Sequence, residues 1–283
     1  MEKYYLGFEL IKSGMFPVLM FLAILGVVKF GSIIGDRTHH KSEGKRTKSD
    51  DTLIGAVLGL MGLIIAFTFS GAAGRLDQRE RLIVAEANAI SSAYGSISYL
   101  NQEDRPPVDD LFKKYLDSRI TLYNNILDTT QFKEKQSNAE ALLSKIKNTS
   151  LASVRKVTSP DRALANDLVR QVSAMSSAYD SQRQAMFFHP PRIIWVSLIF
   201  LVIISSFLAG YKMGIEQRKE RFLLIVFALL MSAAIYLIFS LEFPLLTHVN
   251  LSEYNHEFIR LRDAIPDVPI SLLNDSNPDV APK

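Results

Sequence analysis

The stretch TLIGAVLGLMGLIIAFTFSGAAG, residues 52–74, carries no charge and is long enough to cross a lipid bilayer. At ~1.5 Å per residue it matches a hydrocarbon core of about 30 Å, which predicts a membrane-spanning helix. Because lipid supplies no hydrophobic drive between helices, small residues that let two backbones approach closely predict a packing face. Such residues recur here every three or four positions and share one face of the helix: Gly55, Gly59, Gly62, Ala66, Ser70 and Ala73.

Three further segments are equally apolar, at residues 15–34, 193–210 and 222–241. Their only charge is Lys29, near one end of the first segment, where its aliphatic stem reaches the headgroups. The sequence therefore predicts an all-α polytopic membrane protein with four transmembrane helices. The predicted order is an N-terminal segment (1–14), the first span (15–34), a basic loop (35–52), the second span (53–74), a helical extramembrane domain continuous with it (75–192), the third span (193–210), a second basic loop (211–221), the fourth span (222–241), a C-terminal segment (242–272) and a disordered tail (273–283).

The two short loops carry a concentration of basic residues, which predicts that they face the cytoplasm. Both termini and the large insert are then expected on the periplasmic side of a bacterial inner membrane. Arg75, Arg79 and Arg81, just beyond the second span, favour the opposite orientation. The basic residues of the loops are Arg37, Lys41, Lys45, Arg46 and Lys48 in the first, and Lys212, Arg218, Lys219 and Arg221 in the second.

The insert has helical periodicity throughout and no strand-like alternation. Neither proline nor glycine occurs between Arg75 and Tyr94, so the second span is predicted to continue as one helix to about Leu100. Another helix is predicted over residues 108–126 and a shorter one around 142–146. A fourth opens at Ser159, Pro160 and Asp161. Its apolar stripe consists of Leu164, Leu168, Val172, Met175 and Tyr179.

The chain lacks several common sequence motifs of catalytic, phosphate-binding and metal-binding sites. It has no cysteine, G-x-S-x-G, glycine-rich phosphate loop or H-E-x-x-H, so we expect no enzyme, no cofactor and no metal site. Basic residues form no patch interleaved with aromatic residues outside the loops, and no nucleic-acid partner is expected. The carboxylates Asp77, Glu80 and Glu86 are predicted to pair locally with the three arginines that follow the second span.

Several motifs nevertheless resemble the bestrophin-like domain family of bacterial membrane proteins, over about residues 50–265. They are AFTFSGAAGRLDQRERLIVAEANAISSAY (66–94), KKYLDSRI (113–120), RQAMFFHPPRIIW (183–195), GYKMG (210–214) and LEFP (241–244). The family usually ends its last span with an acidic-Leu-acidic-Arg-Pro-Arg pattern. This chain departs from that pattern, since it has Ser240, Leu241, Glu242, Phe243, Pro244 and Leu245.

The wider resemblance is to true bestrophins, which are pentameric anion channels. It implies a homo-oligomer, a pentamer by analogy, that conducts small anions across the lipid bilayer. The second span offers Leu60, Ile64 and Phe67 as candidates to line a hydrophobic constriction, and Arg75 as a charge at the pore mouth. The tryptophan pair and the acidic calcium clasp of true bestrophins are missing here.

A second function class fits the same helices. A membrane-anchored sensor or scaffold would bind a partner through the insert, and its spans would only assemble it without conducting ions. Oligomer number separates the two hypotheses, because a closed ring leaves an axial pore and a monomer or dimer leaves none.

Overall fold

The computed structural model describes residues 15–41, 48–124, 129–158, 161–216, 221–243 and 252–265. Within these ranges the chain forms α-helices and two short 3₁₀ helices and no β-strand, which confirms the prediction of an all-α protein. The 3₁₀ helices are Ser96–Tyr99 and Gln102–Asp104. The α-helices are α1 (Phe16–Lys41), α2 (Lys48–Gly95), α3 (Arg105–Asn124), α4 (Thr129–Lys156), α5 (Arg162–Phe187), α6 (Arg192–Ile215), α7 (Arg221–Glu242) and α8 (Ser252–Ala264).

Four helical segments of the described chain are long and apolar enough to cross a membrane. They overlap α1, α2, α6 and α7, so the prediction of four spans is confirmed. The predicted domain boundaries stay predictions. The N-terminal segment 1–14, the cap residues Ser159 and Pro160, and the tail 273–283 lie outside the described residues.

The chain divides into two compact units. The first, which we call the span unit, comprises Met1–Leu76 and His189–Val249. The second, the insert unit, comprises Asp77–Phe188 and Asn250–Lys283. Helix α2 contributes residues to both units.

In the span unit, α1 and α6 share the most extensive contact. Their backbones touch, because a Cβ atom added at Gly210 would overlap the carbonyl oxygen of Val28. Small residues allow such an approach, and dispersion between backbones then holds the pair together. The glycines at this crossing are spaced four apart on each helix: Gly31 and Gly35 on α1, Gly210 and Gly214 on α6.

Helix α7 completes an apolar core with the same two helices. Fully or almost fully buried side chains come from each of them, with Val28 of α1, Val202 of α6 and Ala228 of α7 as examples. The core is thin, since many large apolar side chains of these helices are exposed on the outer faces. Such exposure is expected of helices that lipid surrounds.

The insert unit has its own core, built from the C-terminal part of α2 and from α3, α4, α5 and α8. Each helix contributes at least one completely buried side chain, so the unit is a single packed body of helices. Examples, in the same order, are Ile90, Phe112, Ile146, Leu168 and Phe258. Helix α8 lies in the predicted C-terminal segment 242–272 and belongs to this core.

Two predictions for the insert need correction. The short helix around residues 142–146 is in fact the 28-residue α4. Its buried face includes Ser150 and Ser153, polar residues that do not register as an apolar stripe. In α5 the predicted stripe is correct except at Leu164, which is 52% exposed because Ala165 takes the inward position in the first turn.

Candidate functional site

The small residues of the predicted packing face of α2 are directed away from the rest of the span unit. A Cβ atom added at Gly55, Gly59 or Gly62 would meet nothing within 4 Å. Ala66 and Ser70 are exposed as well, and Ala73 is half-buried. The predicted packing face therefore has no helix against its glycines in the described part of this chain.

The opposite face of α2 packs within the span unit. Ile54, Met61 and Thr68 are buried and recur every seven residues, which keeps them on one side of a helix. The Thr68 hydroxyl donates to the carbonyl oxygen of Ile64 at 2.7 Å, so this polar group is satisfied inside its own helix. Helix α2 thus has one face that the described residues cover and one that they leave bare.

The candidates for a constriction divide between these faces. Leu60 is 49% exposed and Phe67 is 68% exposed, on the bare side of the helix. Ile64 is half-buried and packs against the cluster of Ala72, Leu198 and Ile238. Leu60 and Phe67 are therefore the candidates most accessible to another copy or to a pore.

Arg75, the candidate for a charge at the pore mouth, lies in an ion pair. Its Nε and a terminal nitrogen both lie 2.7 Å from Oε2 of Glu242, whose side chain is completely buried. The Nδ1 atom of His189 lies 3.1 Å from the other oxygen of this carboxylate. The His189 ring also contacts Phe243, with 4.7 Å between ring centroids. The positive charge of Arg75 is thus offset by a buried carboxylate.

This cluster predicts unequal effects of its two charges on stability. Arg75→Ala is expected to lower the free energy of unfolding by about 2 kcal/mol, because it removes the cation opposite a buried carboxylate. Glu242→Gln is expected to cost less, since Arg75 is partly exposed and water can solvate it. The temperature at which the purified protein loses its monodisperse elution peak measures both effects.

Two further variants complete this test. The double variant Arg75→Ala/Glu242→Gln should regain part of the loss, because no buried charge remains. Arg81→Ala removes an arginine from the exposed pair with Asp77 and should change stability by less than about 1 kcal/mol. A loss in Arg75→Ala no larger than that in Arg81→Ala would contradict the prediction.

The insert unit contains a second buried pair, between Glu86 of α2 and Arg119 of α3. Two parallel hydrogen bonds of 2.8 and 2.7 Å join the guanidinium to the carboxylate. Tyr115 donates to the same carboxylate at 2.9 Å, and Arg119 also donates to Gln182 at 3.1 Å. The side chains of both partners in the ion pair are at most 1% exposed.

Aromatic rings surround this pair. The Arg119 guanidinium lies 5.0 Å from the ring centroid of Tyr179 and 5.3 Å from that of Phe258, within range of cation–π attraction. Burial raises the pKa of the Tyr115 hydroxyl well above its ordinary value, and the charge of Glu86 raises it further. The hydroxyl therefore stays protonated and keeps donating, as a structural part of the insert unit.

The local ion pairs predicted after the second span form only in part. Asp77 and Arg81 do pair, four residues apart and exposed. For Glu86 the prediction is wrong, since it bonds to Arg119 on another helix. Arg79 is buried and donates to the carbonyl oxygens of Ala185 and Phe188, at the C-terminal end of α5. A cation there complements the helix dipole and satisfies carbonyl groups left over at the helix end.

Sequence reasoning missed the partners of these buried charges. Arg75 and Glu242 are 167 residues apart, and Glu86 and Arg119 are 33 apart. One feature of the sequence could have predicted the first pair. Glu242 stands alone at the end of an otherwise uncharged span, and an acidic group in such a place needs a cation as partner.

Comparisons with known proteins agree with this architecture. The sequence profile of the Bestrophin-like domain matches residues 21–252. Among solved structures, the chain is similar to a crystal structure of "a membrane protein" with a proline-to-alanine substitution, with a TM-score of 0.60 and 12% identity over 87% of this chain and 98% of that one. At that identity the likeness shows the fold alone. No curated protein matches the chain.

Proposed function

The chain belongs to the bestrophin-like domain family, and on that premise we propose that it forms a homo-oligomeric ring that conducts small anions across the membrane. Helix α2 of each copy lines an axial pore, and Leu60 and Phe67 form a hydrophobic constriction that gates by dewetting. The proposal takes five copies from the resemblance to true bestrophins and includes no enzymatic activity. The inner-membrane location and the periplasmic insert remain part of the proposal.

The observation that carries this proposal is how little of α2 is covered by the described part of its own chain. Only 11% of its apolar window is buried, against 22–28% for the other three candidate spans. A small-residue face suits contact with another helix better than contact with lipid. Other copies of α2 are therefore the natural partners for this face.

The angle between the two exposed stripes of α2 is compatible with a ring. Successive residues of a helix are about 100° apart, so Leu60 is turned about a quarter of the circumference from Gly59. If the glycine face packs against the neighbouring copy, Leu60 and Phe67 are directed to one side of that contact. In the proposed ring this side faces the axis.

The preference for anions rests on the aromatic ring rather than on a free cation. The pairing of Arg75 with Glu242 offsets the charge that would otherwise concentrate anions at the pore mouth. The edge of an aromatic ring carries partial positive charge, so Phe67 offers anions a weakly attractive surface. We therefore expect modest anion selectivity.

Phe67→Ala is expected to raise chloride conductance severalfold, because it removes the largest exposed side chain of the proposed constriction. Currents across planar bilayers that contain the reconstituted protein measure this effect. The matched control is Phe200→Ala on α6, which removes a similarly exposed phenylalanine (61% against 68%) from a span outside the proposed pore. The control should leave conductance unchanged.

Ring size tests the proposal separately. Mass measurement of the purified complex should give a closed ring of about five copies. A monomer or dimer, or equal conductance in the Phe67→Ala and Phe200→Ala variants, would contradict the proposed pore. A monomer or dimer without current would instead favour the membrane-anchored sensor or scaffold.

A further inference from the structure

An apolar groove of about 550 Å³ lies in the span unit between α1, α6 and α7. It is lined by side chains from all three helices, including Phe16 and Val27 of α1, Trp195 of α6 and Phe239 of α7. Its lining is apolar except for Ser206. A site of this size and character suits an apolar ligand.

The length of the groove matches one leaflet of a bilayer. Its lining runs from Phe16 to Val27 along α1 and from Trp195 to Ser206 along α6, about 16 Å at a rise of ~1.5 Å per residue. A hydrocarbon core is about 30 Å thick, so half of it is about 15 Å. An acyl chain that follows the groove would therefore run from the membrane surface to the bilayer centre.

One end of the groove has the character of a membrane surface. Trp195 lies there with its ring centroid 6.1 Å from that of Phe239 and 6.0 Å from that of Phe243, and tryptophan is enriched at the level of the headgroups. Arg192, the first residue of α6, precedes Trp195 by less than one helical turn and is exposed. A guanidinium matches the geometry of a phosphate, so the first turn of α6, which leads into the groove lining at Trp195, offers a partner for an anionic headgroup.

We propose that this groove holds one acyl chain of an anionic phospholipid whose phosphate lies against Arg192. The lipid fills the space between α1, α6 and α7 and adds no atom to the proposed pore. Its binding does not depend on whether the protein conducts ions.

Trp195 provides the test, because it is the only tryptophan of the chain and lines the groove. The full-length protein is reconstituted in phosphatidylcholine vesicles with a minor fraction of phosphatidylglycerol, and bromine is placed on the acyl chains of one lipid at a time. Bromine quenches tryptophan on contact. From the attraction of one basic residue for an anionic lipid we expect roughly fivefold preference for brominated phosphatidylglycerol over brominated phosphatidylcholine at equal fraction.

Three variants locate the effect. Arg192→Gln should abolish the preference, while Arg37→Gln, at an exposed arginine near the other end of α1, should retain it. Ala23→Phe, at an exposed position of the groove wall, fills the groove and should reduce quenching by the anionic lipid to the level of phosphatidylcholine.

Equal quenching by the two lipids in the native protein would overturn the proposal. So would a preference that survives both Arg192→Gln and Ala23→Phe, because the anionic lipid would then bind elsewhere. These fluorescence readouts do not require current, so failure here and failure of the proposed channel are distinguishable.

Discussion

Arg119→Met should destabilise the insert unit by about 3–5 kcal/mol, the cost of breaking a buried ion pair by removing one partner. Glu86 is completely buried, and its carboxylate would lose two hydrogen bonds of 2.8 and 2.7 Å together with the opposite charge. Domains are typically stable by only about 5–15 kcal/mol, so this loss removes a large part of the free energy of unfolding. Thermal unfolding of the full-length protein and resistance to protease within the insert both measure the loss.

Two controls separate the buried charge from the general cost of a substitution. Lys114→Ala, on the same helix α3, breaks an exposed pair with Asp110 and should cost less than about 1 kcal/mol. The double variant Glu86→Leu/Arg119→Met removes both charges and should recover much of the loss, because apolar replacements of a buried pair are often neutral. A double variant as unstable as Arg119→Met would show that packing, and not charge, sets the cost.

Gly210→Val is expected to separate α1 from α6 and to destabilise the span unit by about 3 kcal/mol, the upper value for an overpacked core. Even a single Cβ atom at Gly210 would overlap the Val28 carbonyl oxygen, and this oxygen belongs to the backbone and cannot rotate aside. The fraction of protein that elutes as a monodisperse peak after heating in detergent measures the loss.

The matched control is Gly26→Val, on α1 itself. A Cβ atom at Gly26 meets nothing within 4 Å, so the same change of residue in the same pair of helices should be tolerated. Equal thermal stability of the two variants would mean that the two backbones are not in contact at Gly210.

The apolar runs predicted the spans correctly, because a bilayer imposes length and hydrophobicity on any helix that crosses it. The motif resemblance predicted the family, and the profile match confirms it. Local rules also predicted most of the buried stripe of α5, since helical periodicity reflects which side faces a core. Leu164 shows their limit, because an inward alanine at the next position carries almost no signal.

Long-range pairing was beyond the sequence. The small residues of the second span predicted a close contact between helices. Among the described residues, the close contact is instead made by α1 and α6, at Gly31, Gly35, Gly210 and Gly214. Both stripes satisfy the same spacing rule, and the rule names no partner. Arg75 was likewise predicted as a charge at the pore mouth with acidic partners nearby in the sequence, whereas it pairs with Glu242, 167 residues away.

The glycine crossing of α1 and α6 also fixes an order of events during synthesis. Gly35 and Gly210 are separated by 175 positions in the chain, which take roughly 9–35 s to translate at about 5–20 residues per second. Throughout that interval the ribosome has made the first span but has not yet made α6, the helix against which it packs. Membrane insertion of the first span and its packing against α6 are therefore separate steps, and the packing step follows only after α6 has been translated.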